Sequence, residues 1–206
     1  MTTTPKFKEI FGDIRIVGLA GEKNTGKTNN LVYLIKEFIE KDKGKTPIYV
    51  YGMPQEVMKY LKTLGVREIS EIQHLVDKKD CILIIDEFQK LKLNDRRYKD
   101  VLAAFVDFVY HNNVYAILSS PNIREFNSVI GGVIERWLLK SVRRDMCVNG
   151  SQLKKVIEDY KGRYRSLFSV RTNPNELLLI NDSEEIVIKC PYIKEADSKV
   201  KNEKLF

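Results

Sequence analysis

The residues with the most definite chemistry are Gly21-Glu22-Lys23-Asn24-Thr25-Gly26-Lys27-Thr28, which fit the spacing G-x-x-x-x-G-K-[ST]. Glycines at the two ends let the backbone bend until its N–H groups converge on phosphate oxygens. A lysine at the seventh position reaches the β- and γ-phosphates of a nucleoside triphosphate, and the hydroxyl after it ligates Mg2+. Gly21 through Thr28, with Asn29 one step into the following helix, are therefore the candidate nucleotide cradle. Lys27 is also a candidate catalytic cation, and Thr28 a candidate metal ligand.

A second signal is the apolar run Cys81-Ile82-Leu83-Ile84-Ile85, which ends in Asp86-Glu87. Asp86 is placed to hold Mg2+, directly or through water. Glu87 is placed to orient and deprotonate a water that attacks the γ-phosphate. Successive side chains at a strand end point different ways, which separates the two roles. A third polar group, Ser119-Ser120-Pro121-Asn122, follows the run Val114–Leu118. Ser120 or Asn122 is the candidate γ-phosphate sensor; helix capping or turn chemistry explains the same residues equally well.

Phosphoryl transfer also calls for a cation on the developing charge, often an arginine from a neighbouring subunit. Arg143 and Arg144, after a predicted strand, are the candidates among several arginines. The basic stretch after Glu87 offers Lys90, Lys92, Arg96 and Arg97 as contacts to a nucleic-acid backbone. A second cluster, Lys154, Lys155, Lys161, Arg163 and Arg165 with Tyr160 and Tyr164, has the same character. Either is also compatible with an ordinary solvated face. His74 and His111 fall in helical segments and read as structural.

These groups need a scaffold. Ile14–Ala20 reads as a buried strand before the glycine loop, and Lys27 to about Lys41 as a helix with Leu31, Leu34, Ile35, Phe38 and Ile39 on one face. Gly44 is a C-cap candidate. A short strand over 47–51 follows, then a helix from Pro54 to Leu64 closed by Gly65. Val66 to Lys78 reads as another helix, with Ile69, Ile72 and Val76 inward. Asp100 to His111 is an amphipathic helix, and Ile134 to Val142 a strand alternating around Trp137. Further on come a helix over 151–160 and strands over 167–171, 177–180 and 186–190. The last two are joined by the hairpin signal Asn181-Asp182-Ser183-Glu184. Alternating strands and helices imply an α/β fold, mainly a parallel sheet flanked by helices, with a C-terminal antiparallel hairpin. Ligands bind such sheets at the carboxyl ends of the strands. The glycine loop, Asp86-Glu87 and Ser119-Ser120 all fall on that rim.

The chain has 206 residues, 43% hydrophobic and 31% charged, which suits one domain with short appendages. Residues 1–13 read as a lead-in with Phe7, Ile10 and Phe11 available to dock. Residues 14–194 form the ATPase domain and 195–206 a charged tail. No apolar run approaches the roughly 20 residues of a membrane span. Cys81, Cys147 and Cys190 have no metal-ligand spacing and suit reduced thiols in an intracellular setting. The formal net charge of +7, from 35 Lys+Arg against 28 Asp+Glu, permits a polyanion partner without requiring one.

The order of elements resembles the FtsK–HerA superfamily of DNA-pumping, RecA-like P-loop ATPases. Over residues 14–145 it is similar to A32-type viral genome-packaging ATPases, including those of archaeal turreted icosahedral viruses. The segment Val114 through Val142 resembles that family's sensor strand, helical turn and next strand. The resemblance implies ATP and Mg2+ as cofactors, a ring of subunits with ATP between them, double-stranded DNA as substrate, and a capsid or portal-vertex partner. It also implies a cytoplasmic location, the host cytoplasm if viral, with virion association. Two features depart from the family pattern. Ser119-Ser120-Pro121 stands where a Thr-Gln sensor pair is usual, and Tyr110-His111-Asn112-Asn113 stands where a trans-acting arginine is often found. Rival expectations are a helicase or recombination ATPase, a nucleotide-dependent assembly switch with little turnover, and, less well supported, a nucleotide kinase.

Overall fold

The computed structural model describes residues 2–3, 10–75, 77–88, 99–121, 133–134, 136–140, 175–180 and 185–196. Strand β1 is Thr2–Thr3, and β2, Ile16–Gly21, runs into the glycine loop. Helix α1, Lys27–Asp42, follows it. Next come β3 (Ile48–Tyr51), α2 (Gln55–Thr63) and β4 (Arg67–Glu68). Then β5 is Cys81–Ile85, α3 is Lys99–His111 and β6 is Val114–Ser120. The last strands are β7 (Arg136–Lys140), β8 (Glu176–Ile180) and β9 (Glu185–Lys189).

All belong to one sheet in the order β1-β9-β8-β7-β2-β6-β5-β3-β4. The pairs from β7 through to β4 are parallel. Strand β8 joins β7 antiparallel and pairs antiparallel with β9, which is the expected C-terminal hairpin. Strand β2 lies between β6 and β7, so β6 separates it from β5. Groups at the ends of β2 and β5 must therefore meet across the end of β6.

Helices cover both faces. Leu31, Leu34, Ile35 and Phe38 of α1 and Val57, Met58 and Leu61 of α2 pack on one face with Leu19, Ile84, Ile117 and Leu138. Phe105 and Val109 of α3 pack on the other with Ala20, Ile85, Leu118 and Leu139. Burial on both sides explains why β2 and β5 read as continuous apolar runs. It also removes the alternation expected around Trp137, because Trp137 through Lys140 are all buried. Ile10 and Phe11 dock as expected and are fully buried, with Phe11 stacked edge-on to Tyr115 at 5.1 Å.

The helix expected over Val66–Lys78 is not formed. Arg67–Glu68 instead pairs parallel with β3, and Ile72–Leu75 makes a single 3-10 turn. The outer edge of β3 offers unpaired backbone groups, and Ile69 N–H donates to Val50 O at 2.8 Å while its side chain is buried. Strand pairing beside the β-branched Val66 and Ile69 outweighs the helical period. At the chain end, Lys194–Ala196 forms a 3-10 helix with Ala196 buried, so the first residues expected in the tail pack on the domain. The elements expected over 151–160 and 167–171, the 181–184 turn, and residues 197–206 lie outside the described residues.

One close approach fixes the sheet beneath the loop. A Cβ on Gly21 would lie 2.1 Å from Lys140 O. The first glycine of the motif ends β2 and is thus required by packing against β7. We expect Gly21→Ala to force β2 and β7 apart and to lower stability by about 3 kcal/mol. Urea unfolding measures this, and a loss under about 1 kcal/mol would contradict the packing.

Candidate active site

The loop between β2 and α1 is set by backbone geometry. Asn24 and Gly26 have φ of 62° and 91°, and Thr25 Oγ1 donates to Glu22 O at 2.8 Å. Gly26 is the N-cap of α1 and provides no side-chain cap, and no acidic residue occupies the first helical turn. The first N–H groups and the positive dipole end of α1 thus suit an anion. Lys27 is buried, and its Nζ donates to Gly21 O at 2.8 Å and to Glu22 O at 2.6 Å. Burial lowers the Lys27 pKa from its ordinary value, opposed by Asp86, Glu87 and Glu22.

Asp86 lies just past β5 and is 3% exposed. Thr28 Oγ1 donates to Asp86 Oδ2 at 3.2 Å, across 58 residues of sequence. Glu87 N–H donates to Asp86 Oδ1 at 3.0 Å. Burial raises the Asp86 pKa; the Ser119 and Thr28 hydroxyls and the Lys27 charge oppose the rise. A hydroxyl and a carboxylate so placed are the oxygen donors a hard divalent cation takes, with phosphate oxygens and waters completing its shell. Thr28 and Asp86 therefore fit Mg2+, and the ion's charge would offset the cost of burying Asp86.

Glu87 also lines the cavity over the loop. Its separation from Asp86 comes from a turn and not, as expected, from strand alternation. The strand ends at Ile85, and Glu87 adopts φ 54°. That conformation costs a non-glycine residue about 1 kcal/mol or more.

The two serines that end β6 are both fully buried, and neither is among the cavity's walls. Ser120 lies opposite Ala20. Ser119 faces Asp86, although its Oγ closes no hydrogen bond of proper geometry. Parity explains this. Ile117 packs on the α1 face and Leu118 on the α3 face, so Ser119 returns to the α1 side, as Asp86 does after Ile84. The same alternation, applied to the sequence, would have favoured Ser119. Asn122, Arg143, Arg144, Lys90, Lys92, Arg96 and Arg97 lie outside the described residues, as does the second basic cluster.

Two further polar residues carried no recognisable motif. Lys140, at the end of β7, is fully buried; its Nζ donates to Glu176 O at 2.9 Å and, with the Asn30 amide turned to the orientation its donors and acceptors require, to the Asn30 side-chain oxygen at 3.0 Å. The Asn30 amide donates in turn to Gly26 O at 3.3 Å, bracing the N-cap of α1. Burial lowers the Lys140 pKa to about 8, with the adjacent Cys190 and Glu176 opposing, and burial pushes the Cys190 thiol up to about 12. Asn29 ties the chain end to α1. Its amide donates to Pro191 O at 3.1 Å, and its oxygen accepts from Ile193 N–H at 2.7 Å. The cavity of about 480 Å³ runs over the loop, with Asp86, Glu87, Asn175 and Tyr192 among its walls.

No protein-family model and no curated protein matches the chain. Solved structures do. The chain is similar to B204, the DNA-packaging ATPase from Sulfolobus Turreted Icosahedral Virus, with a TM-score of 0.60 and 12% identity over 87% of this chain and 98% of that one. It is similar to the genome packaging NTPase B204 from Sulfolobus turreted icosahedral virus 2 in complex with ATP-gammaS, with a TM-score of 0.54 and 15% identity over 87% and 98%. It is also similar to the cytoplasmic domain of the Thermomonospora curvata Type VII secretion ATPase EccC, with a TM-score of 0.57 and 10% identity over 86% of this chain and 25% of that one. The fold is that of a RecA-like α/β P-loop NTPase. The resemblance to packaging ATPases holds at the level of fold over nearly the whole of B204. No described helix is long and apolar enough to cross a membrane.

Two outcomes follow. Ser119→Ala should lower nucleotide turnover about 10-fold, as loss of a group supporting a metal ligand does, and Ser120→Ala should lower it much less. Steady-state phosphate release distinguishes them, and equal effects would remove the parity argument. Lys140 has a folded-state pKa near 8 against an ordinary value of 10.5. Between these values the unfolded chain holds more protons, so stability rises with pH across that window. Below about pH 8 the burden of the buried cation is present in full. The urea midpoint of the native protein relative to Lys140→Met should therefore climb from pH 8 to 10, and a flat difference would contradict a buried charged lysine.

Proposed function

We propose that the chain is a Mg2+-dependent ATPase that translocates double-stranded DNA, in the packaging of a viral genome into a capsid. The observation that carries the ATPase reading is the meeting of Thr28 and Asp86 at 3.2 Å beneath Lys27, with Glu87 on the same cavity. In this reading the N–H groups of the loop and of the α1 start hold the phosphates. Lys27 leaves the Gly21 and Glu22 carbonyls for the β- and γ-phosphates. Thr28 and Asp86 would hold Mg2+, which would neutralise phosphate charge when bound. Glu87 accepts a proton from water as its oxygen bonds to the γ-phosphorus and the bond to the bridging oxygen breaks, leaving ADP and phosphate.

The DNA task draws its support from the likeness to B204 over 97–98% of that protein's length. The net charge of +7 is compatible with a duplex partner. In this reading subunits form a ring, and Lys90, Lys92, Arg96 and Arg97 grip the DNA backbone. Arg143 or Arg144 reaches a neighbour's nucleotide, and a capsid or portal-vertex protein receives the complex. The protein then works in the cytoplasm of the infected cell and at the virion.

The test is ATP hydrolysis with and without duplex DNA for the native protein, Lys27→Ala and Glu87→Gln. Turnover should rise with duplex DNA. Lys27→Ala should lower it about 100-fold or more, with loss of nucleotide affinity. Glu87→Gln should lower turnover by about 100- to 10,000-fold while still binding ATP. Turnover indifferent to DNA would remove the motor from this reading, and binding without turnover in the native protein would leave a nucleotide switch.

A further inference from the structure

We infer that Tyr192 is the platform on which the base of a bound nucleotide stacks, with Asn29 as the residue that positions it. The inference rests on the nucleotide-binding reading above and adds a residue that recognises the nucleoside.

The sheet order fixes the polarity of the site. Asp86 follows β5, which lies two places from β2 on one side. The segment Cys190–Ala196 follows β9, which lies three places from β2 on the other side. Thr28 and Asn29 are adjacent on α1 and project about 100° apart, so one helix start reaches both ways. Thr28 bonds Asp86, and Asn29 bonds Pro191 O and Ile193 N–H. The terminal phosphate belongs at the Lys27, Asp86 and Glu87 end, where the reacting groups lie. The nucleoside must then leave the α1 start towards the β8–β9 side.

Tyr192 stands there. The two hydrogen bonds of Asn29 hold the residues on either side of it, and Ile193 is buried next to it. Tyr192 itself lines the cavity and is 55% exposed, one of few large hydrophobic side chains so exposed among the described residues. An aromatic ring at the wall of this cavity, between two residues whose backbone is held, is suited to stack on a flat heterocycle. Stacking accepts every base because each has a π-face, so Tyr192 favours a nucleotide over bare triphosphate without choosing strongly among bases.

The experiment is calorimetric binding of ATP-γS, GTP-γS and inorganic tripolyphosphate, with Mg2+, to the full chain. The proteins are native, Tyr192→Ala, Tyr192→Phe and Lys27→Ala. Tyr192→Ala should weaken both nucleotides by about 10- to 100-fold and leave tripolyphosphate unchanged. Tyr192→Phe should keep nucleotide affinity within about 3-fold, since the ring and not the hydroxyl stacks. Lys27→Ala should weaken all three. Unchanged nucleotide affinity in Tyr192→Ala would overturn the inference, and so would an equal loss of tripolyphosphate, which would mark Tyr192 as a structural support of the loop. A native protein that bound none of the three would overturn the nucleotide reading itself.

Discussion

Lys27, Asp86 and Lys140 are ionisable, buried, and gathered at the carboxyl rim of one sheet, and the site depends on how they offset one another. Burial acts on each in the direction of neutrality, lowering both lysines and raising the aspartate. None would be tolerated alone in this position. Lys27 is held by two loop carbonyls, Asp86 by a hydroxyl and an N–H, and Lys140 by a carbonyl and an amide oxygen. These bonds join α1 to the loop, to the end of β5 and to β7. A rim arranged in this way has charge and polar groups in place before any ligand arrives, which is the condition under which electrostatic stabilisation is strong.

Strand parity decides which side chains join that rim. Asp86, Ser119 and Lys140 follow Ile84, Ile117 and Leu138 at a spacing of two, and all three of those apolar residues pack on the α1 face. Ser120 is displaced by one position and belongs to the α3 side. The in-register parallel pairing of β5 with β6, of β6 with β2 and of β2 with β7 then brings Asp86 level with Ser119 and sets Lys140 two residues further along the same rim, beside Gly21. A slip of one residue in any of these strands would turn its polar end to the opposite face. The tight fit of Gly21 against Lys140 O and of Gly18 against the Trp137 ring opposes such a slip between β2 and β7.

The sequence made the central strands and the three helices legible because their signals are local. Cys81–Ile85 is apolar throughout and ends in a charged pair, and the glycine loop has fixed spacing. Val66–Lys78 misled for the same reason. Its apolar positions fit a helical period, while the unpaired edge of β3, which decides the matter, is remote in sequence. Lys140 and Asn30 were hidden by residue type: a lysine at a strand end reads as solvated, and only the arrival of β8 beside β7 encloses it. The approach of Ser119 to Asp86 was within reach, because alternation from Ile117 points to it. Tyr192 could not be found locally. It enters the cavity through hydrogen bonds to Asn29 that span more than 160 residues.

That long closure says what the C-terminal hairpin contributes. Strands β8 and β9 extend the sheet past β7, and β1 pairs beyond them, so the added edge ends in a strand of only two residues. A short outer strand offers little backbone to a foreign chain. The hairpin also returns the chain to the level of the glycine loop, where Pro191 and Ile193 meet Asn29. A parallel core supplies the phosphate end of such a site by itself, because β2, β5 and β6 all finish at that rim. It has no wall on the far side of α1, where β7 is the last parallel strand. The antiparallel hairpin builds that wall from residues 190–196. Any shift of Asn29 on α1 must then move with the hairpin's end or break two hydrogen bonds, one of them buried. The β9 side of the sheet is thus mechanically tied to the helix that meets the phosphates.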